Sequence, residues 1–177
     1  MKILPRAFML LVVGLVCNGV LAVPADSPAT AAISCTVDDT MEWAANFADI
    51  TIAAHIDTQA SVVTGSGTAT LYTNGNVTIS ADNTIAARLA NSTQGTDVLV
   101  TEYRIEYDSD GITATGGSTV DYDFYDTFLA VPSAVTHVAG DGAVDVTLRV
   151  RASNRAGNMA DAGTYTATQT LTASWAS

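Results

Sequence analysis

The sequence predicts an all-β fold, an antiparallel sandwich of about seven to nine short strands in a single domain. Three observations carry this expectation. Apolar and polar residues alternate with a period of two through most of the chain after Ile33, most cleanly in the C-terminal third. A strand sends successive side chains to opposite faces, so a half-buried sheet requires that pattern. Clusters of Gly, Asn, Asp and Ser recur between the alternating runs, and these residues tolerate the backbone geometry of tight turns. Hydrophobic residues make up 48% of the 177 and charged residues only 14%, which is far too apolar for a disordered chain. The length suffices for one core without disulfides or metal.

From the N-terminus, residues 1–22 read as a secretory signal. Lys2 and Arg6 supply positive charge, Phe8 to Val16 is a short apolar run, and Val20-Leu21-Ala22 offers small residues for cleavage. The run is too short for a spanning helix. Residues 23–32 form a flexible lead-in rich in Ala, Ser and Pro, and residues 33–177 form the sandwich domain. Without the signal, Cys35 is the only cysteine, so no intrachain disulfide forms. Nothing basic flanks it, and it reads as a buried, inert thiol, with an intermolecular bridge as the alternative. Asp38 to Asn46 is the one helix candidate, with Asp39 or Thr40 as its cap.

The strands follow. Ile50, Ile52, Ala54 and Ile56 alternate with Asp49, Thr51, Ala53 and His55. Thr68–Thr73 and Asn76–Ser80 flank Asn74-Gly75, whose residues suit a type I′ turn, so the pair predicts a hairpin. Thr84 to Ala90 suits either a strand or a single helical turn. Leu99, Thr101, Tyr103, Ile105 and Tyr107 share one face opposite Glu102, Arg104 and Glu106. Val144, Val146, Leu148, Val150 and Ala152 form the most regular apolar face of all. A polar loop, Asn154 to Ala162, precedes a last strand with Tyr165, Ala167, Leu171, Ala173 and Trp175 on one side and five threonines on the other.

The segment Asp161-Ala162-Gly163-Thr164-Tyr165 resembles the Asp-x-Gly-x-Tyr corner before a late strand of immunoglobulin-like domains. That resemblance implies a sandwich of immunoglobulin-like type, with the Tyr165 hydroxyl bonded to backbone upstream. The closing run from Ala162 to Trp175 resembles the end of bacterial spore coat protein U and related fimbrial subunits. It implies an exported component of a surface fibre, in which subunits lend strands to neighbours. The lead-in Val23 to Val37 makes a weak donor, because Pro24 and Pro28 interrupt it.

Charge excludes some partners. Beyond the signal the chain has five arginines, no lysine and 18 acidic residues, a net charge of −13. Nucleic acid and anionic membranes need clustered cations and are poor partners. Acidic clusters invite calcium, which takes six to eight oxygens. The candidates are Asp108 with Asp110 beside Gly111, then Asp121, Asp123 and Asp126, then Asp141 with Asp145. The competing reading is that these Asp and Gly residues build turns.

Other chemistry is thinner. His55 and His137 stand apart, without metal-ligand spacing. Gly65-Ser66-Gly67 lacks the five-residue nucleophile elbow and reads as a flexible turn. Glu102 and Glu106 around Arg104 read as a charge-balanced strand face rather than a glycosidase pair. The aromatics of Asp121-Tyr122-Asp123-Phe124-Tyr125-Asp126 read as core anchors, with a sugar-stacking platform as the alternative. The expected function is a secreted, non-catalytic structural or adhesive subunit of a surface or fibre assembly, with self-association or other assembly subunits as partners. A soluble carbohydrate- or calcium-binding module is the alternative.

Overall fold

A computed structural model describes residues 28–108, 118–137, 140 and 142–177. The expected signal, 1–22, lies outside these residues. The chain divides into two units, Met1–Thr36 and Val37–Ser177. Among the described residues of the second unit lie ten strands: β1 Met41–Trp43, β2 Val62–Thr73, β3 Val77–Ala81, β4 Ala90–Asn91, β5 Val100–Asp108, β6 Ser118–Phe124, β7 Ser133–Val135, β8 Ala143–Ser153, β9 Tyr165–Thr166 and β10 Leu171–Trp175. All pairings are antiparallel. One sheet has the order β1-β2-β8-β5-β6, a second β10-β3-β7, and β4 pairs with β9.

The predicted all-β antiparallel sandwich is what forms. β8 is the spine of the larger sheet, paired along its whole length with β2 on one side and β5 on the other. Its Val144, Val146, Leu148, Val150 and Ala152 are all buried, as are Tyr103, Ile105 and Tyr107 of β5. All but Ala152 meet Val77, Ile79 and Val135 from the smaller sheet in one core, which Phe128 completes, while Ala152 packs with Val63 and Leu99. Burying a side chain of this size stabilises the fold by about 1.5–3 kcal/mol, so these two facing rows dominate its energetics.

Several local expectations are corrected. The helix candidate 38–46 is not helical: β1 forms there, with Met41 opposite Thr73 of β2. Asn74-Gly75 turns the chain but makes no hairpin, because β2 and β3 belong to different sheets. Neither residue has a positive φ, so the turn is not type I′. Asn74 is a clamp instead. Its side chain accepts the Thr40 N–H at 2.8 Å and donates to the Asp38 carbonyl at 2.8 Å. A Cβ at Gly75 would lie 2.9 Å from the Trp175 ring, so close packing explains that glycine.

The ambiguous stretch 84–90 contains a 3-10 turn at Ile85–Ala87. Gly65-Ser66-Gly67 is no turn and lies inside β2. A Cβ on Gly65 would sit 2.9 Å from Ile50 Cγ2, and one on Gly67 3.0 Å from Ile50 Cγ1. The glycines make room for residues 48–52 to lie across the inner face of β2. Cys35 is exposed rather than buried.

Of the aromatic run at 121–126, half-buried Tyr125 packs against the core, whereas Tyr122 and Phe124 do not. Phe124 is 53% exposed, and the Arg151 guanidinium covers the Tyr122 ring at 4.4 Å. Tyr103, Tyr107 and Phe128 are the aromatics that fill the interior.

Candidate functional site

The last strand of the sequence is divided into β9 and β10, yet its backbone keeps one direction of pairing throughout. Thr164 accepts the Ser92 N–H at 2.8 Å, Thr168 donates to Ala86 at 2.7 Å, Thr170 accepts from Asp82 at 3.1 Å and Ala176 donates to Asn76 at 3.0 Å. Successive main-chain groups of an antiparallel strand point to opposite edges. The even-numbered residues therefore bond inward to β4, the 3-10 turn and β3. The odd-numbered residues Tyr165, Ala167, Gln169, Leu171, Ala173 and Trp175 turn their N–H and C=O groups to the other edge. Among the described residues no strand pairs there.

Residues 45–57 flank this open edge. They alternate largely as the sequence predicts, with Ile50, Ile52 and Ile56 half-buried and Asp49, Thr51 and His55 exposed, except that Ala54 is exposed too. They nevertheless form no strand, and none of their main-chain groups makes a backbone hydrogen bond among the described residues. Period two followed the burial of one face over Gly65 and Gly67 and did not require a ladder.

Between the two segments runs a groove of about 780 Å³. Residues 43–52 form one wall and residues 164–171 the other, while Tyr103, Leu148 and Val150 contribute its floor. A second hollow of about 550 Å³ shares Ile52, Leu89, Thr164 and Tyr165 and extends the groove towards Ile56 and Met159. Apolar floor and unpaired main chain along a wall are what an extended peptide needs, since ladder bonds give affinity and alternate side chains find pockets.

The predicted tyrosine corner stands at the junction of the two hollows. The Tyr165 hydroxyl lies 2.8 Å from the Asp161 carbonyl, four residues upstream. It also bonds to the Asp97 carboxylate, which accepts the Asp161 N–H at 2.6 Å. Nothing local to Tyr165 points to Asp97, which lies 68 residues away in the chain. The Tyr165 bond is the main cause that holds the Asp97 carboxyl below its ordinary range. Burial, then the bond to Asp97, pushes the Tyr165 hydroxyl up.

The candidate calcium residues fare differently from one another. Asp110, Gly111 and Asp141 lie outside the described residues, and of Asp108 only the backbone is described. Asp123 accepts the Phe124 N–H and the Thr127 hydroxyl, each at 2.8 Å, so it organises the turn after β6. Asp121 and Asp126 are exposed, and Asp145 accepts from Thr70 at 2.8 Å. Among the described residues no three His, Cys, Asp or Glu side chains gather as a metal site.

Glu102 and Glu106 lie on the outer face of the larger sheet in an ion-pair lattice. Arg151 grips Glu102 through two bonds of 2.8 and 2.7 Å. Glu106 bridges Arg104 at 2.8 Å and Arg149 at 3.1 Å. The arginines of β8 were the missing partners, brought over by the β5–β8 register. Among the described residues no helix is long and apolar enough to cross a membrane. No family model matches the chain, and no curated protein matches its sequence.

Proposed function

We propose that this protein is an exported, non-catalytic structural or adhesive subunit that self-associates through its open β9–β10 edge. The observation that carries this reading is the row of unpaired odd-numbered main-chain groups beside an apolar groove. An exposed edge is a template for another strand, and proteins that stay monomeric usually cover it or blunt it with charge. From Gly163 to Ser177 this chain has no charged residue. The net charge of −13 beyond the signal disfavours nonspecific clumping, so association must use a local, uncharged contact.

The test is light scattering and negative-stain imaging of the exported protein over a concentration series. The reading expects assemblies that grow with concentration and are lost in Ala167→Pro, which removes an edge donor. A monomer at every concentration, with no assembly on any surface material, overturns it. The carbohydrate-binding alternative draws on exposed Phe124 and on Tyr122 on the outer face of the larger sheet. Saturable binding of oligosaccharides by a persistent monomer would favour it instead.

A further inference from the structure

We infer that Asn74 is a site of spontaneous chemical modification, at which loss of the side-chain amide detaches β1 from the larger sheet. Asparagine is thermolabile, and most so before glycine, where no Cβ shields the next main-chain nitrogen. Beyond the expected signal no other Asn precedes Gly in this sequence, and Asn74 is exposed to water. In the reaction the deprotonated Gly75 nitrogen attacks Asn74 Cγ. The new N–Cγ bond closes a succinimide ring, the Cγ–Nδ2 bond breaks, and Nδ2 leaves as ammonia with the proton that Gly75 gave up. Water then opens either C–N bond of the ring. The product is aspartate, or isoaspartate with the main chain rerouted through Cβ and Cγ.

The bonds around Asn74 make this change consequential. Its side chain donates to the Asp38 carbonyl at 2.8 Å and accepts the Thr40 N–H at 2.8 Å. Its main-chain N–H donates to the Thr40 carbonyl at 3.1 Å. Together they hold the entry to β1, a strand of three residues whose Met41 and Trp43 pack against the core. A carboxylate keeps the acceptor but lacks the donor. Its charge faces the Asp38 carbonyl, beside the acidic pair Asp38-Asp39, and is repelled there. Isoaspartate adds a methylene to the main chain between β2 and β3, which displaces all three bonds.

The same bonds slow the reaction in the folded protein. They restrain the side chain, while the Gly75 N–H is engaged with Thr73 Oγ1 at 3.3 Å. The reaction therefore draws on molecules in which β1 has already frayed, and it fixes them in that state. The rate follows the population of the open form.

The test incubates the full exported chain, folded and in urea, in mildly alkaline heavy-oxygen water, and maps the incorporated oxygen by mass spectrometry. Label is expected at Asn74, arriving at least about tenfold more slowly in the folded chain, where opening must come first. Amide exchange is then compared between wild type and Asn74→Asp. The Ala44 N–H, bonded to Thr70 at 2.9 Å, is expected to exchange at least about tenfold faster in the variant, with β8 still protected. If Asn74→Asp does not fold, aged wild type, which acquires the change after folding, supplies the same comparison. No label at Asn74 of the folded chain, equal rates in the folded and unfolded chains, or unchanged protection of Ala44 after conversion would each overturn the inference.

Discussion

β8 and residues 44–57 have similar alternation and opposite fates. β8 is paired on both edges and all its inward side chains are buried. Residues 44–57 place Ile50, Ile52 and Ile56 against the interior but form no strand. The β9–β10 line is intermediate, bonded along one edge and open along the other. The comparison teaches that period two reports which face is buried, whereas pairing depends on whether a neighbouring chain is available.

The largest effect expected from this difference lies in the core. Ile105, fully buried in β5, should lose about 2–5 kcal/mol on change to Ala, because a close-packed site leaves a cavity. Ile52→Ala should cost about 1 kcal/mol, since its half-exposed site can relax. Chemical denaturation of both variants checks the ratio. Equal losses would mean that residues 44–57 are as integral to the core as β5.

Proline sharpens the comparison within the last strand. Thr168→Pro removes the donor to Ala86 and should cost about 1–3 kcal/mol by leaving that carbonyl unpaired. Ala167→Pro removes a donor that bonds nothing in the monomer and should cost less than about 1 kcal/mol, as edge positions tolerate proline. The two midpoints of denaturation, measured on monomer, should separate in that order.

A smaller effect belongs to the corner. Tyr165→Phe should cost about 1 kcal/mol at neutral pH through the lost hydroxyl bonds. The Asp97 carboxyl is held below 3.8 in the fold, chiefly by Tyr165. A depressed folded value contributes stability above the unfolded value and loses it as pH falls through the folded one. The gap between wild type and Tyr165→Phe should therefore narrow in acid below about 4. A gap that is constant with pH would separate Asp97 from the corner's stability.

Much of the fold was legible in the sequence because β5 and β8 bury one continuous face. Their inward residues are the ones the alternation selects. The corner was legible because Gly163 and Tyr165 are close in sequence. A Cβ on Gly163 would lie 2.7 Å from Asn91 Nδ2, so the glycine is fixed by a close approach that only the fold creates.

Asn74-Gly75 misled because its composition suits a type I′ turn, whereas contacts with Asp38, Thr40 and Trp175 decide its geometry. Asp97 was illegible because nothing local links it to Tyr165. The groove was hidden for a related reason. Residues 49–56 look like a strand of the sheet, and only the three-dimensional pairing reveals that they form an unbonded wall.

The most direct test of the central claim is amide hydrogen exchange along residues 164–176 of the monomer, because exchange reads each N–H for a bond. The open edge predicts an alternating pattern. Thr168, Thr172, Ser174 and Ala176 should exchange slowly, while Tyr165, Ala167, Gln169, Ala173 and Trp175 exchange at least tenfold faster. Uniform protection across odd and even positions in a protein shown to be monomeric would contradict it, since the edge would then already be paired.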